Sequence, residues 1–310
     1  MPSSLALNCW FLTGPTASGK SAVGVVLARR INAEIISLDS MALYRRMDIG
    51  TAKPTSDERQ SVPHHLIDVI EPHEEYSLAQ YVAAATRCVD EIAGRGRQVL
   101  FVGGTPLYLK GLLRGIFEGP PADWDLRRRL ADNAKQHGEC WLHEQVAAVD
   151  PAAATRLHPN DTRRLIRALE VFEKTSQPIS ELQQQFDIGR PAAECRVFVL
   201  DWPKEELHAR INQRVDQMFA DGLVEEVRGL LAAPHPLSQT ALQAVGYREV
   251  IEHVEGARNL AETIDLVQQH TRQLAKRQCT WFRSLSECRF VSVSTPFDPS
   301  EVAGRVERSG

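Results

Sequence analysis

Residues 14–21 read Gly-Pro-Thr-Ala-Ser-Gly-Lys-Ser and fit the pattern G-x-x-x-x-G-K-[ST] in full. The chemistry of that pattern needs a particular setting, a loop that leaves a buried strand and opens a helix. Both flanks are present. NCWFLT (Asn8–Thr13) is a short apolar run stopped by Gly14-Pro15, and Val23, Val25, Val26, Leu27 and Ile31 follow at helical spacing. The glycines let the backbone curl until successive N–H groups and the helix N-terminus face an anion. Gly14, Pro15, Thr16, Ala17, Ser18, Gly19, Lys20 and Ser21 are therefore the candidate phosphate-binding residues. Lys20 supplies a point charge to the terminal phosphate, and Ser21 is a candidate Mg²⁺ ligand. By itself the loop predicts a bound di- or triphosphate, because ATP, GTP and any diphosphate monoester offer it the same oxygens.

The rest of the chain extends this unit into an α/β fold. Further strands are expected at Ala33–Asp39, at Gln98–Val102 before Gly103-Gly104, at Arg196–Trp202 and near Arg289–Val293. Helical stretches lie between them, one of them opened by Ser77 as N-cap, and the longest runs near residues 257–285. Residues 118–190 hold helix formers and Arg/Gln clusters without a β-branched run. The expected architecture is a P-loop NTPase-like parallel sheet flanked by helices, formed by residues 1–117 and 191–310, with an all-helical domain inserted between. The 36 Lys+Arg and 40 Asp+Glu give a net charge of −4, which excludes binding of nucleic acid through bulk basicity but leaves room for a local basic patch. The six cysteines are scattered and never form C-x-x-C, so reduced thiols are expected rather than a zinc site or a disulfide framework. With neither an export signal in residues 1–13 nor a membrane-length apolar run, a cytoplasmic protein is expected.

Two further side chains point at the loop. Asp39 follows the second strand and Thr105 follows the third, so both belong at the carboxyl edge of the sheet, where α/β folds place their ligands. Asp39 can serve as a general base or hold Mg²⁺ indirectly; equally, Asp39 or Ser40 can cap the next helix. The third strand ends in Gly-Gly-Thr, whereas many P-loop nucleoside triphosphatases carry a strand-end aspartate for metal and water. This weakens an ATPase or kinase reading.

Several longer segments carry a resemblance. The loop, ISLDSMALYRRMDIGTAKP (Ile36–Pro54), PHHLIDV (Pro63–Val69), YSLAQY (Tyr76–Tyr81), VGGTPLYLKGLL (Val102–Leu113), HPNDTRRLIRALEVF (His158–Phe172), VGYRE (Val245–Glu249) and TRQLAKRQCTWFR (Thr271–Arg283) resemble, in order, the bacterial tRNA dimethylallyltransferases. The resemblance implies transfer of the prenyl group of dimethylallyl diphosphate to N6 of the adenosine 3′ of the anticodon, position 37. It implies that the loop holds the donor's diphosphate with Mg²⁺, that Arg214 in RINQRVDQM helps to hold it, and that Asp39, Thr105 and Lys20 are catalytic. A monomer acting on the tRNA anticodon stem-loop is expected. Two alternatives stand beside this reading: a small-molecule kinase using ATP, and an RNA-binding module without chemistry. In one place the chain departs from the family, since Met41-Ala42-Leu43 precedes Tyr44 where many members have Gln-Val.

The resemblance also implies tRNA contacts at Asp39, Ser40, Met41, Ala42, Thr105 and Arg127. Others fall at Arg163, Arg164, Leu165, Ile166 and Arg167, and at Gln243, Ala244, Val245, Gly246, Tyr247 and Arg248. A last group is Arg272, Lys276, Arg277 and Arg283. At roughly 100° per residue, Arg272, Lys276 and Arg283 share one side of a helix while Leu274, Trp281 and Leu285 share the opposite side. Such a stripe is a solvated face or a phosphate-tracking one. Tyr247 is either a stacking platform for anticodon bases or a core residue. His64 and His65 lack a third ligand at useful spacing, so no metal is expected there.

Overall fold

The computed structural model describes residues 8–117, 119–138, 140–183 and 189–310. Six strands pair in one parallel sheet: β1 (Trp10–Thr13), β2 (Ala33–Ser37), β3 (His64–His65), β4 (Gln98–Gly103), β5 (Arg196–Asp201) and β6 (Cys288–Ser292). Their order is β3-β2-β4-β1-β5-β6. The phosphate loop therefore leaves the middle of the sheet, with β4 on one side of β1 and β5 on the other.

Strands buried on both faces need continuous apolar sequence, and β1 shows why. Phe11 faces one core with Ile36, Phe101, Val197 and Val199; Trp10 and Leu12 face the other with Leu100, Phe198 and Leu200. The first core is covered by α3 (Leu78–Gly94), α4 (Pro106–Arg114), α11 (Leu223–Leu231) and α12 (Tyr247–Val254), the second by α1 (Lys20–Arg30), α10 (Lys204–Ala220) and α14 (Pro299–Ser309). Ser77 caps α3 in a capping box with Gln80. β3 has no apolar pattern of its own; its strand geometry comes from pairing with β2, Ile35 opposite His64. His65 is bound to Glu34 at 2.7 Å.

The chain divides into two compact units, Arg114–Ile188 and Ser3–Leu113 with Gly189–Gly310. The division falls where α4 ends at Arg114, four residues before the expected Glu118, which lies outside the described residues. The first unit holds α5 (Trp124–His137), α6 (Trp141–Val149), α7 (Pro151–Arg156), α8 (Thr162–Thr175) and α9 (Ile179–Leu182), and among its described residues there is no strand. Its own core is built on Leu126, Leu142, Val146, Leu165 and Val171. Among the described residues no helix is long and apolar enough to cross a membrane.

Candidate active site

The loop 14–21 is shaped by its backbone and held from behind. Gly19 has φ 84°, and a Cβ there would lie 2.5 Å from the Phe297 ring; Ala17 takes φ 61° without being glycine, a conformation the surroundings must enforce. Trp202 Nε1 donates to the Ser18 carbonyl at 2.9 Å and Arg210 Nε to the Ala17 carbonyl at 2.9 Å. The Arg210 guanidinium is itself stacked on Trp202 at 4.3 Å. These bonds engage loop carbonyls. The amides of the first turn of α1, which have no intrahelical acceptor, remain as donors for an anion.

The ends of β2 and β4 are drawn tightly together. Leu38 N–H donates to the Val102 carbonyl at 2.8 Å and Thr105 N–H to the Leu38 carbonyl at 3.1 Å. A Cβ on Gly103 would lie 2.2 Å from the Leu38 carbonyl group, so only glycine permits the approach. As a result Thr105 Oγ accepts the Ser40 N–H at 3.0 Å, and Asp39 emerges beside it. Asp39 caps no helix: its Oδ1 accepts the Met41 N–H at 2.9 Å, and the next helix, α2 (Ser56–Ser61), is capped by Thr55. The capping alternative is thus corrected, leaving a half-buried carboxylate turned toward the loop's side of the sheet.

Lys20 and Arg214 line three adjoining cavities of about 930, 60 and 370 Å³. Asp39 lines the second and third of these, Ser21 the first and second, and Thr105 the third. The third also has an apolar wall, which includes Met41, Val215, Met218, Leu223, Val245 and Leu274. Burial, reinforced by the Arg214 charge and opposed by Asp39, pulls the Lys20 ammonium down to about 8. Burial also lowers Arg214, whose Nε is enclosed without a hydrogen-bond partner in the protein. Two cations, one carboxylate and an apolar wall thus share a cavity, which suits a ligand that is anionic at one end and hydrocarbon at the other.

The sequence matches the profile of the IPP transferase family over residues 42–285. It is 50% identical over 297 residues to the tRNA dimethylallyltransferase of Rhodopirellula baltica, covering 92% of this chain and 89% of that one. The chain belongs to the IPP transferase family. The enzyme of the same name from Geobacter metallireducens is 47% identical, with 92% of each chain covered. Among solved structures, the full-length tRNA isopentenylpyrophosphate transferase of Bacillus halodurans superposes with a TM-score of 0.68 at 36% identity, covering 98% of both chains. A eukaryotic dimethylallyltransferase captured acting on tRNA gives a TM-score of 0.73 at 26% identity, over 93% of this chain and 74% of that one.

Within this IPP transferase fold the residues expected to meet tRNA fall into two sets. Exposed are Arg163, Arg164, Gln243, Arg248, Lys276, Arg277 and Arg283; Ser40, Met41, Val245 and Arg272 are half-buried. Others are structural. Leu165 and Ile166 are packed in the helical unit's core, and Ala42, Ala244 and Gly246 are buried. Tyr247 is fully buried, its hydroxyl donating to Glu226 at 2.6 Å, so the stacking role is corrected in favour of the core one. Arg127 grips the buried Glu170 through Nε at 2.8 Å and Nη2 at 2.7 Å, and Arg167 reaches the same carboxylate at 2.5 Å. Of the three arginines on α8, Arg163 and Arg164 are therefore exposed, and Arg167 is half-buried and paired with Glu170. Arg272 bonds Asn212 and Arg283 lies 3.5 Å from Asp201.

Two residues outside the expected set shape the site. Glu226 accepts the N–H groups of Asp48 and Ile49 at 2.8 Å and of Gly50 at 3.3 Å, pinning a loop that borders the cavities. Gln278, on α13 (Leu260–Arg283), reaches the phosphate loop itself. Both are polar helix residues, which pattern reading assigns to solvent. On α13 the buried residues Thr263, Val267, Ala275, Gln278 and Phe282 lie on the side opposite the basic stripe, as expected, but centred about 40° away from the Leu274–Trp281 line; Leu274 and Trp281 are half-buried, and Leu285, just past the helix, is buried.

Proposed function

We propose that this protein transfers the dimethylallyl group of dimethylallyl diphosphate to N6 of adenosine-37 in tRNA. The observation that carries the reading is the joint lining of one apolar-walled cavity by Lys20, Arg214, Asp39 and Thr105. Lys20, the first-turn amides of α1 and Arg214 bind the donor's diphosphate, and the enclosed, unpartnered Arg214 Nε supports that role. The five-carbon chain lies against Met41, Met218 and their neighbours, away from water. The exocyclic amine of adenine, its lone pair delocalised into the ring, enters flipped out of its stack. As N6 bonds to C1 of the donor, the C1–O bond breaks and its electron pair leaves with diphosphate, while Asp39 takes the N6 proton. Thr105 holds the Asp39-Ser40 turn and offers its hydroxyl to the departing oxygen, and Lys20 with Arg214 meets the growing charge.

Mg²⁺ fits this arrangement. Among the described residues no group of three or more His, Cys, Asp or Glu is placed to hold a metal, but Mg²⁺ commonly takes one or two protein ligands plus phosphate oxygens and water. The Ser21 hydroxyl lines the 60 Å³ cavity and is its protein ligand in this reading, while the Asp39 carboxylate on the same cavity would reach the ion only through water and stays free as the base. Bound there, the ion would neutralise diphosphate charge. The protein acts as a cytoplasmic monomer on the anticodon stem-loop, with exposed cations of α13 and α8 on phosphates.

Incubation of the protein with tRNA, dimethylallyl diphosphate and Mg²⁺, followed by mass analysis of the nucleosides, should yield adenosine carrying one added five-carbon prenyl group. Its absence would overturn the reading. Asp39→Ala should lower kcat by about 10²- to 10⁴-fold, the range for a lost general base, with donor binding much less affected. Near wild-type turnover would remove the base role from Asp39.

A further inference from the structure

Gln278 stands apart from the residues around it on α13. Its neighbours Lys276 and Arg277 are exposed, but its own side chain is buried. The carboxamide spans two segments of the active site: Oε1 accepts the Thr16 N–H at 2.9 Å, and Nε2 donates to the Gly104 carbonyl at 2.6 Å. One partner lies in the phosphate loop, the other immediately before Thr105. A Cβ on Gly104 would sit 2.8 Å from Nε2, so glycine leaves room for the bond.

Burying an amide costs free energy unless both its ends are paired, and here both are. Filling space would not require that chemistry, since Val267, Ala275 and Phe282 are apolar on the same buried face and Thr263 bonds only within the helix's first turn, to the Asn259 carbonyl. The Thr16 amide is thereby occupied, and Ser18 N–H is turned back onto the Pro15 carbonyl at 3.2 Å. An incoming diphosphate is left to the other loop amides, the first turn of α1, Lys20 and Arg214. A helix-borne brace that engages the loop on one side and the Thr105 turn on the other fixes the distance between them.

We propose that Gln278 is a positioning residue for prenyl transfer, its carboxamide setting the separation between the diphosphate loop and the Asp39–Thr105 edge, and so the alignment of donor with base. The proposal rests on the reading that the loop takes the donor's diphosphate. Misplacement of reacting groups by about 1 Å can cost on the order of 10²-fold in rate, so the effect falls on donor handling and chemistry, and the KM for tRNA stays unchanged.

Two variants test it. Gln278→Met keeps length and burial and removes both bonds; it should raise the KM for dimethylallyl diphosphate several-fold, lower kcat by about 10- to 100-fold, and weaken binding of inorganic diphosphate measured by calorimetry. Gln278→Glu is nearly isosteric. Ionised, it sets a carboxylate oxygen against the Gly104 carbonyl; protonated, it restores one donor and one acceptor. Its activity relative to wild type should therefore climb as pH falls from 8 to 6, whereas the same ratio for Gln278→Met stays flat. A residue that merely supported the fold would lower the active fraction without moving the donor KM and without recovery at low pH. Unchanged donor KM and diphosphate affinity in Gln278→Met, or a flat ratio for Gln278→Glu, would overturn the proposal. Wild-type protein that binds diphosphate but prenylates no adenosine would instead overturn the transfer reading, because the calorimetric comparison still decides the brace.

Discussion

Lys20 has an ammonium whose affinity for its proton has been tuned by its surroundings. Burial and the Arg214 guanidinium both work against its charge, and Asp39 only partly compensates, bringing it to about 8 from an ordinary value of 10.5. The sign of the consequence is fixed. Below that pH the free enzyme carries the cation that draws in diphosphate, and above it the cation is lost. The kcat/KM for dimethylallyl diphosphate, which reports ionisations of the free enzyme and free donor, should fall as pH rises through about 8, by up to about tenfold per unit. Lys20→Met should abolish that limb and lower kcat/KM throughout; a limb that survives in Lys20→Met would belong to another group. At this scale the sequence was informative wherever a motif or a strand end fixed a residue's place, as it does for Lys20, Asp39 and Thr105. It was silent about Gln278, left Tyr247 open between platform and core, and gave no sign of the partner that holds Arg127, because Glu170 and Glu226 lie 43 and 21 residues away and leave no local pattern.

At the scale of elements, the close approach of the ends of β2 and β4 decides the geometry of the site. Gly103-Gly104 reads in the sequence as a turn signal, and a turn does follow β4, but the structure gives each glycine a further task. Gly103 lets the Leu38 backbone pass where a Cβ would be 2.2 Å away, and Gly104 admits the Gln278 amide. Because the obstructing atoms at Gly103 are the Leu38 backbone immediately after β2, they cannot rotate aside as a side chain would. Gly103→Ala should cost about 3 kcal/mol, at the upper end of the usual overpacking range, read as a lowered urea midpoint. A variant as stable as wild type would mean that the two strand ends separate easily. Short apolar runs, stopped by Gly or Pro in β1, β4 and β5, made β1, β2, β4 and β5 legible to within one or two residues. β3 was not, since two histidines at the sheet edge have no periodicity to detect. For α13 the period and the side opposite the basic stripe were right, but the buried arc is centred about 40° further round, because Gln278, Ala275 and Phe282 extend it where the pattern shows no aliphatic line.

For the whole molecule the question is how a chain of net charge −4 engages a polyanion. Its cations are not equivalent. Arg127 and Arg167 are committed to Glu170, which is fully buried, whereas Arg163, Arg164, Lys276 and Arg277 are exposed. Each phosphate contact contributes about 0.7 to 0.9 to the slope of log affinity against log salt concentration. Replacing Lys276 and Arg277 together with Ala should reduce the magnitude of that slope for tRNA by about 1.5, and Arg163 with Arg164 by a similar amount. Arg127→Ala should behave differently. It takes one of two arginines from a buried carboxylate that keeps Arg167 and the Asp123 N–H, and should destabilise the helical unit by about 1.5 to 3 kcal/mol, the range for a hydrogen bond to a charged group, so that weaker tRNA binding would accompany loss of helical signal on mild denaturation. If Arg127→Ala instead left the helical unit stable and changed the salt slope as the exposed pairs do, Arg127 would be a phosphate contact in its own right, and its grip on Glu170 would have to open when tRNA binds.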